Sequence, residues 1–330
     1  MPMLHRRHLL AATLGLAAPR LAVAQGEAWP SRPIRLVVAW APGGAVDTIA
    51  RKLGQKLAEQ LGKPVVVENK SGATGTIGSA EVARAAPDGH TLLAMDNTYA
   101  MLPFLFRSLP CDHATAFRPI TVSAFSPVML AVHKDAPWAD LAALVAAAKR
   151  EPDKLTYGTG GIGSAPHFAT AAFAQAAGVQ LFHVPFRGAG EAVTAALARQ
   201  VDLVMVSLGS ALGHVKGGLL RPLALSGAVR AEAFPEVPTF REAGLPNFGP
   251  NGEGVVNWSG LAAPAHTPDA VVNRLQAEVA TALATPDLRA FLASIASAPG
   301  GMPPAAFAAL LLEETARWRD VAGGAGIERQ

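Results

Sequence analysis

One unit, used three times, constrains this chain more than any other feature: an apolar strand, a glycine-rich turn and a helix start. The first copy runs Leu36-Val37-Val38-Ala39-Trp40, then Ala41-Pro42-Gly43-Gly44, with a helix opening near Ala45. The second runs Val65-Val66-Val67-Glu68, then Ser71-Gly72-Ala73-Thr74-Gly75-Thr76. The third runs Leu155-Thr156-Tyr157-Gly158, then Thr159-Gly160-Gly161-Ile162-Gly163-Ser164. Alternating strands and helices predict an α/β chain with mostly parallel sheets. Ligands in such sheets bind beyond the carboxyl ends of the strands, where all three turns fall. A helix N-terminus offers unpaired N–H groups and a partial positive charge, and glycine lets the backbone approach a ligand. Three such ends around one cleft would hold a carboxylate or phosphate with no catalytic side chain.

The alternation continues along the chain. Asp47–Leu61 is amphipathic, with Ile49, Leu53, Leu57 and Leu61 on one face and Gly62-Lys63-Pro64 as its stop. Pro87-Asp88-Gly89 turns the chain into a strand, Thr91–Met95, which ends in Asp96-Asn97-Thr98. The pattern restarts after Pro127 with a strand at Val128–Val132 and a helix at Ala139–Lys149. Ser164 is placed to cap a helix that ends at Gly178. Strands follow at Phe182–Pro185, Leu203–Val206 and Leu223–Leu225, with a helix at Ala189–Arg199. Gly244–Gly254 reads as a connector, and helices close the chain at Pro268–Leu283 and Pro303–Ala322.

The first residues set the compartment. Arg6-Arg7, the apolar run Leu9–Ala18 and Ala22-Val23-Ala24 form an export signal in order, with cleavage expected after Ala24. Its apolar run is too short for a membrane anchor. The arginine pair fits either the Tat or the Sec route. The expected location is the periplasm. The chain has 28 Lys+Arg against 25 Asp+Glu, and Arg6, Arg7 and Arg20 leave with the leader, so the remainder is electrically balanced. That balance, with no basic cluster interleaved with aromatics, argues against nucleic acid as a partner. A single cysteine, Cys111, forms neither an internal disulfide nor a cysteine metal site. About 300 residues after cleavage suggest two domains.

Catalytic and cofactor motifs fare poorly. Gly158-Thr159-Gly160-Gly161-Ile162-Gly163 satisfies G-x-G-x-x-G, but the next strand ends Val184-Pro185-Phe186-Arg187 without the acid that a dinucleotide site requires. Neither G-x-x-x-x-G-K-[ST] nor G-x-S-x-G occurs. Ser164 and His167 stand three apart without a clear orienting acid, so a cap and a cleft-edge histidine are the better reading. His133, His183 and His214 lack metal-ligand spacing. Asp47 reads best as a loop-bonding residue, because a carboxylate aimed at an anion would repel it. No cofactor, metal or catalytic activity is expected.

With these residues laid out, the chain resembles the Bug family, the periplasmic receptors of tripartite tricarboxylate transporters. Pro42-Gly43-Gly44-Ala45-Val46-Asp47 with Ala50-Arg51 matches its P-G-G-x-x-D-x-x-A-R signature. Val67-Glu68-Asn69 through Gly72 to Gly78 matches V-E-N-x-x-G-A-x-G-x-x-G. Pro87–Leu92 resembles P-D-G-Y-T-L, and His183–Gly188 resembles H-V-P-Y-[KR]-G. Pro235–Thr239 with Glu242-Ala243-Gly244 matches P-x-V-P-T-x-x-E-A-G. The resemblance spans nearly the whole chain after the leader. It implies a two-lobed Venus-flytrap fold, with residues 25–125 and 246–330 in one lobe and 126–245 in the other. It implies a small carboxylate as ligand, held largely by backbone groups, and membrane subunits of such a transporter as partners. Carried over by motif, the binding residues are Trp40, Ala41, Gly43 and Gly44, then Gly72, Thr74 and Thr76, then Asn97 and Thr98. Gly163, Ser164, His167, Phe186, Val206 and Ser207 would complete the site. One departure is expected to matter: Val206 falls where relatives often carry an acid, and Gly209 where they carry a proline. A receptor that senses its ligand for a signalling protein is the alternative function.

Overall fold

The computed structural model describes residues 29–249, 255–324 and 329. The export signal read at residues 1–24, with its cleavage point, lies outside the described residues, as does part of the connector. The strands are β1 (Ile34–Val38), β2 (Val65–Asn69), β3 (Thr91–Asp96), β4 (Phe117–His133) and β5 (Thr156–Thr159). They continue as β6 (Phe182–Pro185), β7 (Leu203–Ser207), β8 (Leu220–Leu225), β9 (Val256–Pro264) and β10 (Ala298–Pro299). The helices are α1 (Ala45–Leu61), α2 (Thr76–Ala83), α3 (Thr98–Leu105), α4 (Leu141–Arg150) and α5 (Ala165–Ala177). α6 (Ala189–Leu197), α7 (Leu208–Lys216), α8 (Asp269–Ala284), α9 (Pro286–Ser294) and α10 (Pro304–Gly324) follow.

The strand order is β2-β1-β3-β9-β4-β7-β5-β6, with β8 and β10 also on β4. β4 organises the molecule. Its first part, Phe117–Pro127, runs antiparallel to β9. Its last part, Val128–His133, lies between β7 and β8. One 17-residue strand therefore belongs to two sheets and joins two lobes. Pro127 stands at the changeover, where β9 pairing ends at Val256 and β7 pairing begins at Ser207. The second internal proline, Pro119, borders a register shift. Proline has no N–H for a ladder, and such irregular positions are where a strand accepts it.

The sheets are mixed, which corrects the expectation of mostly parallel sheets. β1 pairs parallel with β2 and β3, and β5 pairs parallel with β6 and β7. β4, β8, β9 and β10 pair antiparallel. The strand–helix–strand units enforce parallel neighbours, whereas β4 and the returning β9 cross between lobes in opposite directions.

Both lobes bury apolar strands under helices. In the first lobe Leu36, Val38, Leu92 and Ala94 meet Ile49, Leu53, Leu275 and Val279. In the second, Leu130, Leu203 and Met205 meet Phe168 and Phe173. That second core also takes in Met101 and Leu105 of α3 and Trp318 of α10, so these helices tie the lobes together. Trp318 is fully buried and meets Phe168 edge-on at 5.4 Å. At the surface, the Asp140 carboxylate accepts from the Ala143 N–H at 2.8 Å and caps α4. Asp140→Ala is expected to cost about 1 kcal/mol. A two-state urea titration checks this value, and an unchanged midpoint and slope would remove the cap from the account.

Candidate functional site

The first lobe presents three strand ends. β1 leaves through Ala41–Gly44, and Gly44 stands at the N-cap of α1. Gly43 has φ +83°, a conformation open to glycine, and its N–H donates to Asp47 Oδ2 at 2.8 Å. Asp47 is 2 % exposed. It also accepts from Asn69 Nδ2 at 2.8 Å and Arg51 Nε at 3.0 Å. Arg51 in turn donates to Asn69 Oδ1 at 2.7 Å, and Asn69 donates to the Trp40 carbonyl at 3.1 Å. Burial pushes the Asp47 pKa up, but the bonds from Arg51, Gly43 and Asn69 outweigh it and hold the carboxyl below its ordinary value. Asp47 thus stitches the end of β2 to the turn before α1, the loop-bonding role read from the sequence.

After β2 the chain makes one 3-10 turn, Ala73–Gly75, with Ala73 and Thr74 in left-handed conformation at φ 44° and 54°. Gly72 and Ala41 are exposed, and Thr76 opens α2 with its hydroxyl donating to the Ala73 carbonyl at 2.9 Å. At the end of β3, Asn97 and Thr98 are buried, and Asn97 Nδ2 donates to Asn257 Oδ1 at 3.3 Å. Asp96 beside them was not singled out from sequence. Its carboxylate accepts from the Thr98 N–H at 3.1 Å. Burial raises its pKa to about 6, despite hydrogen bonds from Thr98 and from the Trp40 side chain. Among the described residues no Lys, Arg or His pairs with it. Protonated, Asp96 can donate to a carboxylate; ionised, it repels one.

In the second lobe, Ser164 caps α5. Its hydroxyl donates to the Gly161 carbonyl at 2.8 Å and accepts from the His167 N–H at 3.4 Å. The Gly163 N–H donates to His167 Nδ1 at 3.2 Å. Gly163 packs on Leu105 of the first lobe so closely that a Cβ there would lie 2.8 Å from Leu105 Cδ1. The His167 ring stacks on His183 and lines a cavity beside α5. Phe186 is half-buried and covers Gly158 of β5, where a Cβ would lie 3.1 Å from its ring.

Val206 requires a correction. Its side chain is fully buried in a core with Met129, Val204 and Ala192, so it does not reach the space between the lobes. β7 lies between β4 and β5 with apolar clusters on both faces, and only its last residue, Ser207, emerges. The departure from the family acid at this position therefore carries no inference about the ligand.

A cavity of about 190 Å³ opens between the lobes. Gly43, Ala45 and Thr48 line it from the start of α1, and Ser207, Gly209 and Ser210 from the start of α7. Ser126, Ser297 and Ile295 complete it. Two hydroxyl pairs stand here, Ser126 with Ser297 and Ser207 with Ser210, each at 2.7 Å. One helix N-terminus from each lobe thus faces a small hydroxyl-lined space, an arrangement that favours an anion. Of the residues named from sequence, Gly43 and Ser207 line this cavity. Trp40, Ala41, Gly44, Gly72, Thr74, Asn97, Thr98, Gly163, Ser164 and Phe186 do not line it, nor does Thr76, which lines a surface cavity with Arg84. The α7 wall had a sequence signal that was missed: Ser207 before Leu208, Ala211, Leu212 and Val215, a cap followed by helical spacing.

Two lobes joined by a shared strand, with an anion-favouring space between them, have the architecture of a solute-binding protein. The family described as "Tripartite tricarboxylate transporter family receptor" matches residues 49–326, and the chain belongs to it. A protein from the tcbD-tcbE intergenic region of Pseudomonas sp. strain P51 is 38% identical over 315 residues, covering 95% of this chain and 92% of that one. The structure of Rpa4515 of R. palustris with adipate superposes with TM-score 0.82 at 32% identity, covering 92% of this chain and all of that one, 100%. MatC of Rhodopseudomonas palustris with bound malate gives 0.77 at 33% identity, covering 89% and 100%. The family is one of solute receptors and not of enzymes, and its structures share this α/β two-lobed fold. Among the described residues no helix is long and apolar enough to cross a membrane.

Proposed function

We propose that this chain binds a small carboxylate between its lobes and presents it to the membrane subunits of a tripartite tricarboxylate transporter. The observation that carries the reading is the interlobe cavity, where the N-termini of α1 and α7 meet over paired serine hydroxyls. The adipate and malate bound by the two structural relatives support a carboxylate of that size. In this reading the lobes comprise residues 25–125 with 246–330, and 126–245, and β4 carries the hinge between them. Gly43 and Ser207 contact the ligand directly. Closure of the lobes on the ligand is expected to bring Trp40, Ala41, Gly44, Gly72, Thr74, Thr76, Asn97 and Thr98 from the first lobe, and Gly163, Ser164 and Phe186 from the second, up to the site, whereas His167 faces the separate cavity beside α5. The receptor works in the periplasm after its leader is cut behind Ala24.

Adipate, malate or succinate is expected to raise the melting temperature, whereas NAD and ATP are not. A hundredfold excess over the dissociation constant stabilises the native state by about 2.7 kcal/mol. A thermal-shift series checks this, with calorimetry for affinity. Stabilisation by nucleotides and none by carboxylates would overturn the reading.

A further inference from the structure

A cavity of about 770 Å³ opens between α4 and α5, away from the interlobe site. Its floor is aromatic. Tyr157 of β5 stacks on His183 of β6 at 4.7 Å and 19°, and His183 stacks on His167 of α5 at 4.2 Å and 10°. Cross-strand pairing of Tyr157 with His183 sets this stack. Tyr157 and His167 line the cavity although they are only 5% and 9% exposed. His183 Nε2 is held by the Thr159 hydroxyl at 2.7 Å.

Two further polar atoms of the floor, His167 Nε2 and the Tyr157 hydroxyl, are unengaged among the described residues. The Gly163 N–H occupies His167 Nδ1, so the proton of the neutral ring sits on Nε2. Burial, then the neighbouring His183, lowers the His167 pKa to about 4, which keeps the ring neutral at periplasmic pH. Neither His167 Nε2 nor the Tyr157 hydroxyl has a hydrogen-bond partner among the described residues. Both are absent from the buried atoms sealed off without a partner, so they remain accessible. Two donors on side chains more than nine-tenths buried thus look into one cavity. Around them stand the apolar walls of Ala171, Ala174, Val179 and Leu181. Lys149 supplies a cation at the edge, with Asp153 as the acid on the opposite side of the balance.

We propose that this groove is a second small-molecule site, and that it takes an aromatic or cyclic monocarboxylate. The carboxylate accepts from His167 Nε2–H, with Lys149 adding charge; the Tyr157 hydroxyl, on the other face of His183, meets a ring hydroxyl where the ligand has one, and the ring of the ligand lies against the apolar walls. A volume of this order suits a small organic ligand. The site does not depend on the interlobe reading, because none of its lining residues borders the interlobe cavity.

The test is calorimetry of the full exported protein with benzoate, 4-hydroxybenzoate and cyclohexanecarboxylate, alone and in saturating adipate. At least one is expected to bind saturably in the millimolar range or better, with adipate present or absent. Ala174→Trp fills the groove and is expected to weaken that binding at least tenfold. Tyr157→Phe removes one donor without changing the ring and is expected to weaken 4-hydroxybenzoate severalfold, so the result does not rest on the folding of the tryptophan variant. Absence of saturable binding by all three acids overturns the proposal. So does binding that Ala174→Trp leaves unchanged, and so does displacement by adipate, which would put the acid between the lobes. Adipate titrated alone tests the interlobe reading separately.

Discussion

Gly209→Val is expected to weaken carboxylate binding about 5- to 150-fold while leaving the protein folded. Gly209 belongs to α7 of the second lobe and faces Ile295 at the end of α9 in the first. A Cβ built there would lie 2.7 Å from the Ile295 carbonyl oxygen. That oxygen is backbone, so no side-chain rotation relieves the overlap. Overpacking of this kind costs about 1–3 kcal/mol, which spans the stated range of affinity. The cost falls on the approach of the lobes, because each lobe alone has room for the side chain. Valine also has a better helix propensity than glycine, so α7 itself is not weakened. Calorimetry with adipate or malate measures the effect, and a melting scan without ligand controls for folding. Wild-type affinity in the valine variant would remove the Gly209–Ile295 contact from the binding-competent arrangement.

Asp96→Asn is expected to stabilise the protein at pH 7 by up to about 3 kcal/mol, with the gain vanishing toward pH 4. The Asp96 carboxyl has an ordinary value of 3.8 and is raised to about 6 in the folded chain, chiefly by burial. Between those values the folded state holds a proton that the unfolded state has lost. Stability contributed by the protonated acid is therefore present below the lower value and is lost as pH rises through the upper one. Asparagine keeps the shape and cannot ionise, so it escapes the penalty of a charged group in this position. Urea titrations of both proteins at several pH values between 4 and 7 give the difference directly. A difference that does not change with pH would show that Asp96 ionises freely. The same comparison with a bound carboxylate reports on the site, since an ionised Asp96 near Trp40 and Thr98 opposes an anionic ligand.

Much of the fold was legible because local physics set it. The amphipathic face of α1, the left-handed Gly62 and Gly178 that end α1 and α5, and the Ser164 cap are all short-range devices. The loop-bonding role of Asp47 followed from charge alone: a carboxylate at a helix start has N–H groups to satisfy. α3 escaped because its eight residues are buried almost all round and contain Pro103, so no helical stripe shows. The first half of β4 escaped because Pro119 and Pro127 argue locally against a strand. Its place between β9 and β10, and then between β7 and β8, overrides that local preference.

The sequence by itself determined that glycine-rich turns stand at strand ends with helix starts behind them, because glycine conformation and helix capping act within a few residues. It also determined the family, through motifs spread over nearly the whole chain. Only the tertiary structure decided which of those turns meet. It sent Val206 into a core and Ser207 into the interlobe space, a difference of one residue fixed by where the strand ends, because β7 is packed on both faces and only its terminal residue clears the sheet. It brought the start of α7 opposite the start of α1, across 165 residues from Gly43 to Leu208, through one strand shared by two sheets. Pairings at that distance depend on how whole sheets stack and twist, and no local pattern records them.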